Sequence, residues 1–432
     1  MCDGSHDKDW IYILGCIEVQ NPNRITWSLE ARNTMTNQEH VHHASASLSR
    51  RGLLRYAGLA AAAVGSANSI ATAEDQDHPR SSDLHYVYIG SYTGNGMGIY
   101  VFQTRTDGSG LKAVGIATGV SNPSFLALHP NKQFLYCCNE NNSGTLTAFA
   151  IDSSSGLLTQ LNMQTTMGAN PAHLSVHPSG KYVLAANYSG ASIIAIALNA
   201  NGSLGSVTDF RVHTGPLGPN TGRQEAPHPH CIETDPSGKW VLVNDLGQDR
   251  TYIYSFDPAV GKFVPGPMPF ATHDAGSGPR HFAFHPGGTY FYSCSELSNT
   301  VDFFQWDSTH GSLTWRQTLS SLPAGYVGGS NIAEIVVDNA GKHLYVSNRG
   351  FDSVAIFDIQ GGSGELGNER WAWTGGQTPR NFNLDPSGDF LYAANQNSNN
   401  IVILDIGGDG RVGGPEPNQF AAAGNPVCVL FK

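Results

Sequence analysis

The feature that most constrains this chain is a unit that returns at intervals near 50 residues. Asn122 to Pro130 reads "NPSFLALHP", and the same frame recurs as "NPAHLSVHPSG", "HPHCIETDPSG", "GPRHFAFHPGG", "NIAEIVVDNAG" and "TPRNFNLDPSG". Aligned on the turn residue, the anchors Pro130, Pro178, Pro236, Pro286, Asn339 and Pro386 lie 48, 58, 50, 53 and 47 residues apart. A truncated copy, "NPVCVLF", ends the chain. Each copy is followed by a second apolar run ("FLYCCNE", "YVLAANY", "WVLVNDL", "YFYSCSE", "HLYVSNR", "FLYAANQ"), then by a third and a weaker fourth.

Four short strands repeated at this period form one blade of a radial array. The last inner strand, Asn425 to Phe431, has no partners downstream, and the first second strand, Tyr86 to Tyr92, has no inner strand upstream. The two deficits complement each other. The expectation is an all-β chain, a seven-bladed β-propeller over residues 84–432, with its last blade closed by the N- and C-terminal strands and no open sheet edge. A closed ring needs no partner, so a monomer is expected.

The composition agrees with one large β domain: 432 residues with 50 Gly and 23 Pro, 40% apolar and only 14% charged. A net charge of −11 argues against nucleic acid and anionic membrane surfaces as partners. Of the seven cysteines, Cys2 and Cys16 lie in the N-terminal segment, and the remaining five (Cys137, Cys138, Cys231, Cys294, Cys428) are an odd number without a C-x-x-C. We expect no disulfide framework, no metal site and no cofactor. Residues 1–48 read as a disordered leader or a start called too early. Residues 49–73 read as a twin-arginine-like signal peptide: Arg50-Arg51, a soft apolar run too short and Ala/Gly-rich to span a membrane, then Ala71-Thr72-Ala73. This implies export to a periplasmic or extracellular space.

In a blade, the start of the first strand and the end of the second emerge at one mouth, and the turn between them lies on the far face. His129, His177 and His285, beside the turn prolines, are therefore read as structural. Six residues before each anchor stand Ser124, Ala172, His230, Arg280, Ala333 and Arg380. Nine after it stand Asn139, Asn187, Asp245, Ser295, Asn348 and Asn395, a near-uniform row that suggests a repeated hydrogen-bond role. One further on stand Glu140, Tyr188, Leu246, Glu296, Arg349 and Gln396, diverse as a binding surface is. His230, Arg280, Glu296, Arg349 and Arg380 thus gather at one side of the mouth, where an acidic chain with three arginines is suited to an anion. The alternative is that these arginines bridge blades. The longest interval contains an insertion, "HTGPLGPNTGRQEAPHPH", that leads into the mouth and carries Arg223, Gln224 and His228 as further binding candidates. His173 and His281, one residue beyond the first row, are read as structural.

The segments "GSYTGNGMGIYVF", "GRQEAPHPH", "GPRHFAFHP" with "YSCSEL", "LYVSNRG" and "TPRNFNLDPSG" make the chain resemble the seven-bladed lactonase family, which includes bacterial 6-phosphogluconolactonases and fungal carboxy-muconate cyclases. The resemblance covers residues 84–432. It implies that the catalytic His, two Arg and Glu of that family correspond to His230, Arg280, Glu296 and Arg349. The activity it implies is hydrolysis of a sugar-acid lactone, with a small anionic lactone or sugar acid as ligand and Arg380, His228, Arg223 and Gln224 near it. Glu296 or His230 would serve as base and Arg280 would hold the oxyanion. An exported enzyme would not meet a cytosolic sugar phosphate, so which lactone is left open. Two rivals stand: a cycloisomerase using the same residues, and a non-catalytic propeller that binds a protein or glycan, which would have no need of the His-Arg-Glu cluster.

Overall fold

The computed structural model describes residues 13–21, 24–31, 85–104, 110–414 and 420–432, and the chain divides into two compact units, 1–76 and 77–432. In the first, Ile13–Asn21 and Arg24–Ala31 pair as an antiparallel hairpin. That hairpin lies in the expected leader. The rest of the leader and the signal-like residues 49–73 fall outside the described residues.

The second unit is seven four-stranded antiparallel sheets. Their inner strands are Pro123–Leu128, Pro171–Val176, Pro229–Thr234, Pro279–Phe284, Asn331–Val337, Pro379–Leu384 and Pro426–Phe431, which we number as blades 1 to 7. Blade 7 closes the ring as expected. Its inner strand is the chain's last, paired to Tyr86–Ser91 in the register Val87↔Phe431 and Ile89↔Val429. Among the described residues no helix is long and apolar enough to cross a membrane.

Each sheet is sandwiched between two others, so the second strands are covered on both faces. This is why they read as continuous apolar runs rather than alternating ones: all six residues of Tyr182–Asn187 are buried. The adjacent Cys137 and Cys138 point opposite ways. Cys137 packs with Tyr88, Leu126 and Phe149, and Cys138 with Leu174, Val183 and Ile194. The five described cysteines are all free and buried.

Polar ties between neighbouring blades repeat at three levels. On the far face, His129, His177 and His285 meet the carbonyls of Gly180, Gly238 and Gly341 through Nε2 at 2.9, 3.2 and 3.0 Å, the structural role expected of them. At the rim, the hydroxyls of buried Tyr88, Tyr136 and Tyr292 donate to the carbonyls of Gly156, Gly202 and Gly364 at 3.0, 2.9 and 2.8 Å. At the mouth, the uniform row works as a clasp. Asn187, Asn348 and Asn395 donate to the carbonyls of Thr166, Ser321 and Thr374, at the end of the preceding blade's outer strand, at 3.1, 3.1 and 2.9 Å. Blade 3 has Asp245 in this row, its Oδ2 2.7 Å from His213 Nδ1.

Candidate active site

The inner strands do not enter the mouth straight. In blade 4 the register runs Pro279↔Ser295 and then His281↔Cys294, so Arg280 is an extra residue, a β-bulge. The same slip occurs at Ala172, His230 and Asn381's neighbour Arg380. A bulge bends the strand and re-aims its side chains. Here the bulged residue is the row six before the anchor, so the fold presents that row at the mouth blade after blade. The diverse row is fixed by backbone. The amides of Glu140, Tyr188, Leu246, Glu296 and Gln396 donate to the carbonyls of Asn122, Asn170, His228, Gly278 and Thr378, the residues preceding the strand-initial prolines. Asn122, Asn170, Gly278 and Thr378 have φ of 47°, 51°, 64° and 60°, the left-handed turn that folds the chain back into the inner strand.

The structure brings three of the expected residues onto the carboxylate of a fourth. Glu296 is buried, with its Oε2 3.0 Å from Arg280 Nε and 3.0 Å from Arg349 Nη2. Its Oε1 accepts from Arg223 Nη2 at 2.6 Å, so the insertion does reach across the mouth. Burial alone would raise the Glu296 carboxyl, but Arg349, Arg280 and Arg223 hold it down at about 2. Arg349 also donates to the carbonyls of Asn331 and Ile332 at 3.3 and 2.9 Å, and Arg280 donates to the carbonyl of Ala333 in the next blade. The arginines thus do bridge blades while facing the mouth. Burial, with Arg280 and Arg380 nearby, lowers Arg349 to about 10 despite Glu296, which leaves it charged at neutral pH.

A second group adjoins the first. The Arg380 guanidinium lies 5.2 Å from the centre of the Tyr92 ring, and the Tyr92 hydroxyl donates to Glu140 Oε2 at 2.7 Å. Tyr92 was not among the sequence candidates. It follows the second strand of blade 7, and its amide donates to Asn425 O as its counterparts' do. Extending the diverse row to the seventh blade would have found it.

His230 is buried, its ring edge-on to Tyr188 at 5.4 Å and to His281 at 5.0 Å, and its Nδ1 has no hydrogen-bond partner among the described residues. Burial, with Arg280, His281 and Arg380, keeps it neutral, well below the usual histidine range. Gln224 and His228 do not join the cluster. Gln224 donates to Leu246 O and Asp249 Oδ1 at 2.9 and 2.7 Å, and His228 stacks on Tyr188 and contacts Tyr188 O and Glu225 Oε1, both at 3.0 Å. Both hold the insertion in place, and only its Arg223 reaches the carboxylate.

Beneath the mouth, His173, Cys231 and Glu233 place donor atoms within 4.8 Å of one another, with His173 Nε2 3.6 Å from both Cys231 Sγ and Glu233 Oε1. His173 Nδ1 accepts the Ile232 amide at 3.3 Å, so the neutral ring carries its proton on Nε2, the atom a metal would require. Within the trio the Cys231 Sγ contact is a hydrogen bond to sulfur, while Glu233 Oε1 lies just beyond hydrogen-bond range of His173 Nε2.

The arrangement can bind an anion on Arg223, Arg280, Arg349 and Arg380 and stabilise negative charge developing beside them. The comparisons with known proteins agree with the fold and this chemistry. A family model described as lactonase, 7-bladed beta-propeller matches residues 86–431. The 6-phosphogluconolactonase of Bacillus subtilis strain 168 is 37% identical over 297 residues, 68% of this chain and 83% of that relative. The 6-phosphogluconolactonase of Formosa agariphila is 34% identical over 311 residues, 68% of this chain and 85% of the relative. The structure of a periplasmic gluconolactonase from Pseudomonas aeruginosa superimposes with a TM-score of 0.76 at 30% identity, covering 81% of this chain and 99% of that one. With a family model spanning nearly the whole ring and relatives of this identity and coverage, the chain belongs to the seven-bladed β-propeller lactonase family.

Proposed function

We propose that this protein opens the intramolecular ester of a sugar-acid lactone at the mouth formed by blades 3 to 7. The observation that carries the reading is the convergence of Arg223, Arg280 and Arg349 on buried Glu296, with Arg380 and His230 alongside. In this reading Arg280 and Arg349 receive the charge that grows on the carbonyl oxygen as water adds, and Arg380 and Arg223 hold the substrate's hydroxyls or, in a phosphorylated lactone, its phosphate. Glu296 is the anchor that orders the arginines. Held at about 2 and occupied by three cations, it is too weak a base to deprotonate water, which leaves that step to an imidazole. The relatives named as lactone hydrolases favour hydrolysis over cyclisation or a purely binding role.

The twin-arginine-like segment supports export, and export in turn favours an unphosphorylated lactone. The test is proton release by the full chain on gluconolactone, 6-phosphogluconolactone and a muconolactone, with Arg280→Ala and Arg349→Lys alongside. We expect one of the first two to open well above its spontaneous rate, and kcat/KM to fall at least 100-fold in both variants. No turnover of any lactone by the wild type refutes the reading.

A further inference from the structure

A histidine that the sequence reads as structural has the surroundings of a base. His281 is buried directly beneath the mouth, with its ring 5.0 Å from that of His230 and 5.2 Å from that of His173. Its Nδ1 lies 2.9 Å from Glu334 Oε1, on the inner strand of blade 5. The partners of Glu334 settle which way this contact runs. Its Oε1 also accepts the Ile335 amide at 3.0 Å, and its Oε2 accepts the side-chain amide of Asn381. Asn381 cannot be turned round, because its Oδ1 accepts the Val429 amide at 2.8 Å. Every other group touching Glu334 is therefore a donor. A carboxylate so surrounded takes the proton of His281 Nδ1 as an accepted hydrogen bond, which leaves Nε2 as the bare, basic nitrogen.

That Nε2 is buried and has no hydrogen-bond partner among the described residues. The same is true of Ser124 Oγ. Both residues line one small space of about 10 Å³, together with Glu140, Arg280 and Arg380, the residues at the floor of the mouth. Such a space holds one water, and its walls include the two residues that carry these unpartnered atoms and two arginines.

We propose that His281 is a catalytic residue, the base that activates the attacking water from below the mouth, and that Glu334 is its positioning residue. The proposal rests on the lactonase reading above. His281 Nε2 takes one proton of the water as the water oxygen bonds to the lactone carbonyl carbon and the carbonyl electrons move onto oxygen beside Arg280. Collapse breaks the ring C–O bond, the leaving oxygen takes the proton back from His281, and the new carboxylic acid loses its own proton to solvent. Among the described residues His230 has no carboxylate partner to orient it, which assigns it to the substrate rather than to the water. Burial pushes Glu334 up to about 7, against the pull of Arg280, so the dyad gains its full basicity as pH rises through neutrality. The other groups that bear on His281 are His173, His230, Arg280, Arg380, Glu296 and Arg349.

The experiment compares His281→Gln, Glu334→Gln and Glu334→Asp in the full chain, by kcat and KM from pH 5.5 to 8.5 on the lactone that wild type opens best. His281→Gln should lose about 100-fold or more in kcat with KM within about threefold. Glu334→Gln should lose about tenfold and displace the acid limb of the profile, and Glu334→Asp should restore part of both. In parallel, nitrogen NMR of the wild-type histidines at pH 8 should show His281 with a bare Nε2. This decides the matter if a variant fails to fold, and a protonated Nε2 overturns the proposal. An active wild type with an unimpaired, folded His281→Gln removes His281 from the chemistry, whereas a wild type inactive on every lactone removes the lactonase reading beneath it.

Discussion

Replacing Glu296 by Gln keeps the shape of the side chain and deletes the one charge that three arginines share. The lowering of its carboxyl from 4.5 to about 2 corresponds, at 1.36 kcal/mol for each tenfold in proton affinity, to about 3 kcal/mol of folding stability. Because the folded value is depressed, this contribution is fully present above pH 4.5 and is lost as pH falls through about 2. The side chain is buried, so solvent screening does little to reduce it. Urea unfolding of wild type and Glu296→Gln from pH 7 down to pH 2 isolates the contribution, since every other titrating group is common to both. We expect a gap of about 3 kcal/mol at pH 7, roughly a hundredfold in the folded-to-unfolded ratio, closing steadily below pH 4.5. A gap under about 1 kcal/mol at neutral pH, or one that stays constant to pH 2, would mean the arginines do not depend on this carboxylate, and the reasoning fails.

Tyr92→Phe removes the hydroxyl that bonds Glu140 at 2.7 Å while keeping the ring under Arg380. A buried hydrogen bond of this kind contributes about 0.5–1.5 kcal/mol, so urea unfolding should show a loss of that order, and with Arg380 less well ordered kcat/KM should fall as well; steady-state kinetics within twofold of wild type would place Tyr92 outside the site. His285→Ala removes a far-face tie to Gly341 and should cost about 1 kcal/mol of stability with kcat/KM unchanged; a kinetic defect would contradict the division of labour between the two faces.

Much of this was legible in the sequence, because the repeat made position a substitute for structure. Arg280 and Glu296, sixteen residues apart, occupy the same two rows in blade 4 as Arg380 and Gln396 do in blade 6, and the strand pairing that joins those rows follows from the repeat. The bulge at Arg280 was not legible, since one extra residue in a register alters no composition or period. Nor was the contact of Arg223 with Glu296, 73 residues apart, because an insertion carries no alignment to say where it lands. Polarity made Gln224 and His228 look like binding groups as readily as Arg223; only geometry shows their polar atoms spent on the loop itself. His281 and Glu334 share the row just inside the mouth with Phe125, His173, Cys231 and Asn381. That row was visible, but which of its members meet depends on the radius of the ring, which no single blade encodes.

The closure of blade 7 also fastens the mouth. Tyr92 reaches the mouth from the end of Tyr86–Ser91, yet the amide that fixes it answers to Asn425, and the inner neighbour of its strand is Pro426–Phe431. Without Asn425–Phe431, blade 7 carries an open strand edge and Tyr92 loses the backbone bond that fixes it. Loss of Pro426–Phe431 would therefore unfasten the Tyr92 end of the arginine cluster although, among the described residues, none of those six makes a hydrogen bond or ion pair to an arginine of the cluster.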